Sequence, residues 1–333
     1  MKYKKILFLN LTLILLLILS SCSLPGLETN VKSDGIIVAS GNMTERQVLS
    51  EIVVQMIEYY MPEQKPGLIN NLGSSMLIFQ SIEREDANIG GGMYTGTSLT
   101  GELGMDVTTD PKEAFNMVIN GYSEKFNMVW FPSYGFENTY AFMTSRKFAE
   151  ENNIEKVSDL EKLKDTLRVG VDTTWIDRDG DGYDSFQELY GFEFEHITPM
   201  EIGLVYDAIN SEKMHVALGY STDGRINAYD LVLLKDDLHL FPPYDCSAVI
   251  TKNLLRVYPE LETIILKLEG EIDSETMQKL NRLSDEMKIE PNIVARDFLK
   301  EHNYFEDKNP IPLSEREEYI DIIKDVLPLQ GGN

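Results

Sequence analysis

Trp130-Phe131-Pro132-Ser133-Tyr134-Gly135-Phe136-Glu137-Asn138-Thr139-Tyr140 is an aromatic, proline-bearing stretch, and Leu240-Phe241-Pro242-Pro243-Tyr244 answers it about 110 residues later. Read as two crossings between lobes, they divide the chain. It starts lobe I, crosses into a contiguous lobe II, and returns to finish lobe I. The boundaries expected are 35–133 with 243–333 for lobe I, and 134–242 for lobe II. Strand-like runs at 35–40, 167–171, 215–218, 231–234 and 247–250 alternate with helical patterns. Helix starts are signalled by Ser/Thr-x-x-Glu/Gln spacings at Thr44, Ser158, Thr198 and Ser314, and by Asp110-Pro111. This alternation predicts an α/β fold, a two-lobed clam shell with helices on both faces of its sheets and a ligand beside the carboxyl ends of strands. In the tail, Leu261, Ile264, Ile265 and Leu268 recur at helical spacing, so the segments 258–287 and 291–304 are expected to pack on lobe I.

Among 333 residues, 55 acidic against 30 basic side chains give a formal charge of -25, which excludes phosphate-backbone binding and so nucleic acid. The chain begins with a basic head, Met1-Lys2-Tyr3-Lys4-Lys5. An apolar run follows over 6–19, too short for a comfortable membrane span. It ends in Leu19-Ser20-Ser21-Cys22, which resembles the bacterial lipobox. The expectation is a lipoprotein signal peptide over 1–21, a Cys22 acylated on sulfur (palmitate), and a tether over 22–34. The body would then be lipid-anchored at the extracytoplasmic face of the cell membrane. Cys246, the other cysteine, has no partner in this reading and is expected to be a small core residue.

Enzyme signatures are missing: the chain has no Gly-x-Ser-x-Gly, no His-Glu-x-x-His and no phosphate loop. Gly90-Gly91-Gly92 reads as a loop, with Thr97 where a phosphate loop needs lysine. His196, His215, His239 and His302 lack metal-ligand spacing. The informative residues are tyrosines in short polar segments: Tyr94 in Met-Tyr-Thr-Gly-Thr, Tyr140 in Gly-Phe-Glu-Asn-Thr-Tyr, Tyr220 in Gly-Tyr-Ser-Thr-Asp-Gly-Arg and Tyr244 in Phe-Pro-Pro-Tyr.

These segments, in this order, resemble the substrate-binding lipoproteins of ABC transporters for osmoprotectants (glycine betaine, carnitine, choline). The resemblance covers roughly 35–305 and includes Asn42-Met43-Thr44-Glu45, Thr222-Asp223-Gly224-Arg225 and the run Ala228 to Asp237. It implies a type II periplasmic-binding-protein fold, in which Tyr94, Tyr140, Tyr220 and Tyr244 form an aromatic cage, two from each side of the cleft. Asn42, Thr44 and Thr97 would orient the ligand's other end. Two departures stand out: Gly90-Gly91-Gly92 before Tyr94, and Arg46, where many relatives carry an uncharged polar group.

Asp177-Arg178-Asp179-Gly180-Asp181-Gly182, with Glu188, matches the calcium-loop pattern Asp-x-Asp-x-Asp-Gly-x5-Glu. Relatives have a shorter segment here. A structural calcium held by Asp177, Asp179, Asp181 and Glu188 is therefore weighed against a solvated acidic turn, and no cofactor is required. The expectation as a whole is a monomeric, non-enzymatic solute receptor that delivers a quaternary ammonium osmolyte to an ABC permease. The rival is a surface lipoprotein of the same fold that serves as a partner-binding or structural module.

Overall fold

The computed structural model describes residues 35–106, 108–178 and 180–326. The expected signal peptide, Cys22 and tether, the loop residue Asp179, and residues 327–333 lie outside them. The described residues from Ile36 onward form one compact unit. No helix among the described residues is long and apolar enough to cross a membrane.

The strands, in chain order, are β1 (Ile37–Gly41), β2 (Gly67–Leu72), β3 (Ile89–Tyr94), β4 (Met128–Glu137), β5 (Tyr140–Ser145), β6 (Arg168–Asp172), β7 (His196–Met200), β8 (Val216–Tyr220), β9 (Leu231–Leu233) and β10 (Asp245–Thr251). They make two five-stranded sheets, ordered β2-β1-β3-β10-β4 and β7-β6-β8-β5-β9. In the first, β1 is parallel to β2 and β3, while β10 is antiparallel to β3 and β4. The second repeats the plan, with β6 parallel to β7 and β8, and β5 antiparallel to β8 and β9. The mixed α/β, two-lobe architecture expected from the sequence is therefore present.

Each sheet has its own core. One apolar cluster gathers residues from 36–136 and 246–326, and two smaller ones gather residues from 140–241. The helix Thr44–Tyr60 shows how sequence places a lobe I element. Val48, Leu49, Ile52, Val53, Met56 and Ile57 recur every three or four residues and are all buried, so one stripe faces the sheet.

The first crossing falls later than the expected boundary at 134. Tyr134 is buried in the lobe I core and its hydroxyl donates to the Gly91 carbonyl at 2.7 Å. Strand β4 continues to Glu137, so the chain leaves the first sheet at Asn138-Thr139. It returns through Pro242-Pro243-Tyr244. The crossings are bonded to each other and to lobe II. Asn138 N donates to Tyr244 O at 3.1 Å, and Thr139 N to Ser221 Oγ at 3.1 Å.

The glycine run expected as a loop is instead the inner strand β3, buried throughout. The physical reason is close approach. A Cβ on Gly91 would lie 2.7 Å from Ser50 Cα of the Thr44–Tyr60 helix, so only glycine lets that helix lie on the strand. Tyr94 consequently stands at the carboxyl end of a fixed strand. Gly91→Ala is expected to destabilise the fold by about 1–3 kcal/mol. Thermal unfolding checks this, and an unchanged melting temperature would contradict the close-packing account.

Candidate ligand-binding site

Parallel strands β1 and β3 end at Gly41 and Tyr94, and β6 and β8 end at Asp172 and Tyr220. The antiparallel strands begin at the same edges, β5 at Tyr140 and β10 just after Tyr244. Between these ends is a cavity of about 310 Å³, and all four expected cage tyrosines line it, as does Thr97.

Each ring is held by its local structure. Tyr94 is 6% exposed, and its hydroxyl donates to Glu45 Oε1 at 2.5 Å. Tyr140 donates to Asp172 Oδ2 at 2.5 Å and lies 3.2 Å from Thr174 Oγ1. Burial, reinforced by these carboxylates, raises both phenols from the ordinary tyrosine value. The rings thus stay neutral. Tyr140 and Tyr220 are cross-strand partners, stacked with centroids 5.2 Å apart. The Tyr220 backbone is gripped by Tyr206, whose hydroxyl accepts from Tyr220 N at 2.8 Å. Tyr244 lies on Gly96, where a Cβ would come within 2.7 Å of its ring, and Thr95 Oγ1 donates to Pro243 O at 3.0 Å.

Two arginines complete the lining. The Arg178 guanidinium sits 5.4 Å from the Tyr140 ring centroid, and its Nη2 donates to the Tyr244 hydroxyl at 3.2 Å. A lobe II side chain therefore reaches a ring on the lobe I side. Its Nε pairs with Asp181 Oδ1 at 2.7 Å. Arg46 lies 4.9 Å from the Tyr94 centroid and donates from Nη2 to Ser75 Oγ at 2.6 Å.

Glu45 lies beneath the cage, 3% exposed. Besides Tyr94 it accepts from Asn138 Nδ2 at 2.9 Å and Asn281 Nδ2 at 3.1 Å. Asn281 Nδ2 also donates to Thr222 O at 2.8 Å, and Gln278 Nε2 to Ser221 O at 2.8 Å. The helix Ser274–Asp285 of lobe I thereby holds the segment of lobe II that follows Tyr220.

The model of the OpuAC family, the substrate binding domain of ABC-type glycine betaine transport systems, matches residues 34–301. The chain belongs to that family. It is 48% identical over 293 residues to the carnitine transport binding protein OpuCC of Listeria monocytogenes, covering 88% of this chain and 94% of the relative. The crystal structure of a glycine betaine/carnitine/choline ABC transporter matches with TM-score 0.80 at 48% identity, over 81% of this chain and 100% of that one. Apo YehZ from Escherichia coli shares the fold, with TM-score 0.73 at 22% identity over 81% and 99% of the two chains.

In this OpuAC-family domain, the remaining expected site residues fall elsewhere. Asn42 is exposed, and Thr44 gives its hydroxyl to Asp285 Oδ1 at 2.5 Å. Neither is among the lining residues, which at this end are Met43, Arg46 and Ser75. Asn138 and Arg178 also line the cavity, though neither is expected there from the sequence. Arg178 was hidden inside the acidic motif, and the only signal for Arg46 was its charge at a position usually uncharged.

Asp181 turns inward onto Arg178, while Asp177 and Glu188 are exposed. Among the described residues, no three His, Cys, Asp or Glu side chains gather to hold a metal ion. With Asp181 already paired, millimolar calcium or a chelator is expected to move the melting temperature by less than about 1 °C. A rise of several degrees with calcium would instead assign the loop to the ion.

Proposed function

We propose that this protein captures a quaternary ammonium osmolyte, of the glycine betaine, carnitine or choline type, between its lobes and hands it to an ABC permease. It would do so tethered through lipidated Cys22 at the extracytoplasmic face, making and breaking no bond. The observation that carries the reading is the meeting of four tyrosine rings, from both lobes, around one cavity.

A trimethylammonium group offers no strong hydrogen-bond donor, and its charge is spread over methyl groups. Cation-π and dispersion contacts are what can hold it, and tyrosine faces supply both. Each ring contributes on the order of 0.5–2 kcal/mol, which over four rings supports micromolar affinity after association costs. Because the rings come from opposite lobes, a ligand that touches all four favours the state in which the lobes are together. Arg178 adds to that preference, since its bond to Tyr244 joins lobe II to the lobe I side of the cleft, and Asp181 serves by aiming it.

The test is isothermal titration calorimetry of the full chain in mild detergent with glycine betaine, carnitine and choline. Binding of at least one in the micromolar range is expected, and Tyr220→Ala should weaken it about tenfold or more. Tyr220 is 36% exposed, so its loss leaves the core intact. A folded wild type that binds none of the three would overturn the proposal.

A further inference from the structure

We propose that Arg46 is a specificity determinant that makes the cavity select quaternary ammonium carboxylates over quaternary ammonium alcohols and esters. The inference rests on the transport reading and deepens it by naming the ligand's second group as an anion. Arg46 is 6% exposed and lines the cage cavity. Its Nη2 is spent on Ser75, and its Nε is buried with no hydrogen-bond partner among the described residues. No carboxylate among them lies within ion-pair distance of it.

Neither acidic neighbour pairs with Arg46. Glu45 is occupied by Tyr94, Asn138 and Asn281. Glu102 makes no ion pair with Arg46; its carboxyl is buried without a hydrogen-bond partner among the described residues, and burial raises its pKa. A buried guanidinium lacking both a counter-charge and a partner for one donor is costly. A ligand carboxylate would remove that cost through charge-assisted hydrogen bonds, whereas a hydroxyl or ester would leave the charge unanswered. The same guanidinium repels a cation placed next to it. The ligand is therefore polarised, with its ammonium among the rings and its anion toward Arg46 and Ser75. This accounts for an arginine at the Tyr94 end of a cage built for cations.

The experiment compares the full chain in detergent, wild type and Arg46→Gln, with glycine betaine, its methyl ester and choline. Wild type is expected to bind glycine betaine about tenfold to hundredfold more tightly than the ester or choline. Arg46→Gln should erase most of that ratio by weakening glycine betaine, while choline affinity stays within about threefold or improves. Arg46→Lys, which keeps the charge without the planar fork, should retain part of the preference.

Equal wild-type affinity for glycine betaine and its ester would overturn the inference whatever the variants do. An Arg46→Gln protein that loses all three ligands alike would also overturn it, since Arg46 would then be a scaffold for the rings. A folded wild type that binds none of the three overturns the transport reading and this inference together. Choline binding without selectivity overturns only this one.

Discussion

A carboxylate buried where the two lobes meet sets the geometry of the cleft. A carboxylate in that position needs donors, because an unpaired buried charge costs several kcal/mol. Glu45 has three, from Tyr94 at the end of β3, Asn138 at the crossing and Asn281 of the Ser274–Asp285 helix. These partners lie far apart in sequence, and satisfying one carboxylate fixes all of them relative to the Thr44–Tyr60 helix. The cage ring, the crossing and the helix that holds Thr222 are thereby tied to a single point.

The same logic organises the rest of the cavity. Tyr140 is aimed by Asp172, Tyr220 by Tyr206, Tyr244 by the flat surface of Gly96, and Arg178 by Asp181. Asp172 stands at the end of β6, and Glu45, Gly96 and Tyr206 stand in helices that follow strands, where an α/β sheet gathers several segments. Fixed rings lose little freedom when a ligand arrives, so more of the cation-π attraction remains as affinity.

The two-lobe plan and the residues Tyr94, Tyr140, Tyr220 and Tyr244 that line the cavity were legible in the sequence because they rest on short local patterns. Proline-bearing aromatic runs marked the crossings, and polar segments around Tyr94, Tyr140, Tyr220 and Tyr244 matched a known order. What the sequence hid is tertiary. Gly90-Gly91-Gly92 looks like a loop by propensity, yet the Ser50 backbone overhead makes glycine the residue a strand needs there. Helix-start spacings misled for a related reason. Asp110-Pro111 caps its helix as written, with Asp110 accepting from Lys112 N and Glu113 N. Thr44, by contrast, is already helical behind Met43, and Thr198 lies in β7. Arg178 and Asp181 belong to a motif whose spacing suggests calcium, but their side chains find each other first.

Where the cationic end of a ligand sits is tested most directly by a crystal structure of the protein grown with carnitine. The proposed cage predicts the quaternary nitrogen within about 6 Å of the ring centroids of Tyr94, Tyr140, Tyr220 and Tyr244. Carnitine bound away from these rings, with the cavity between the sheets left to solvent, would contradict it.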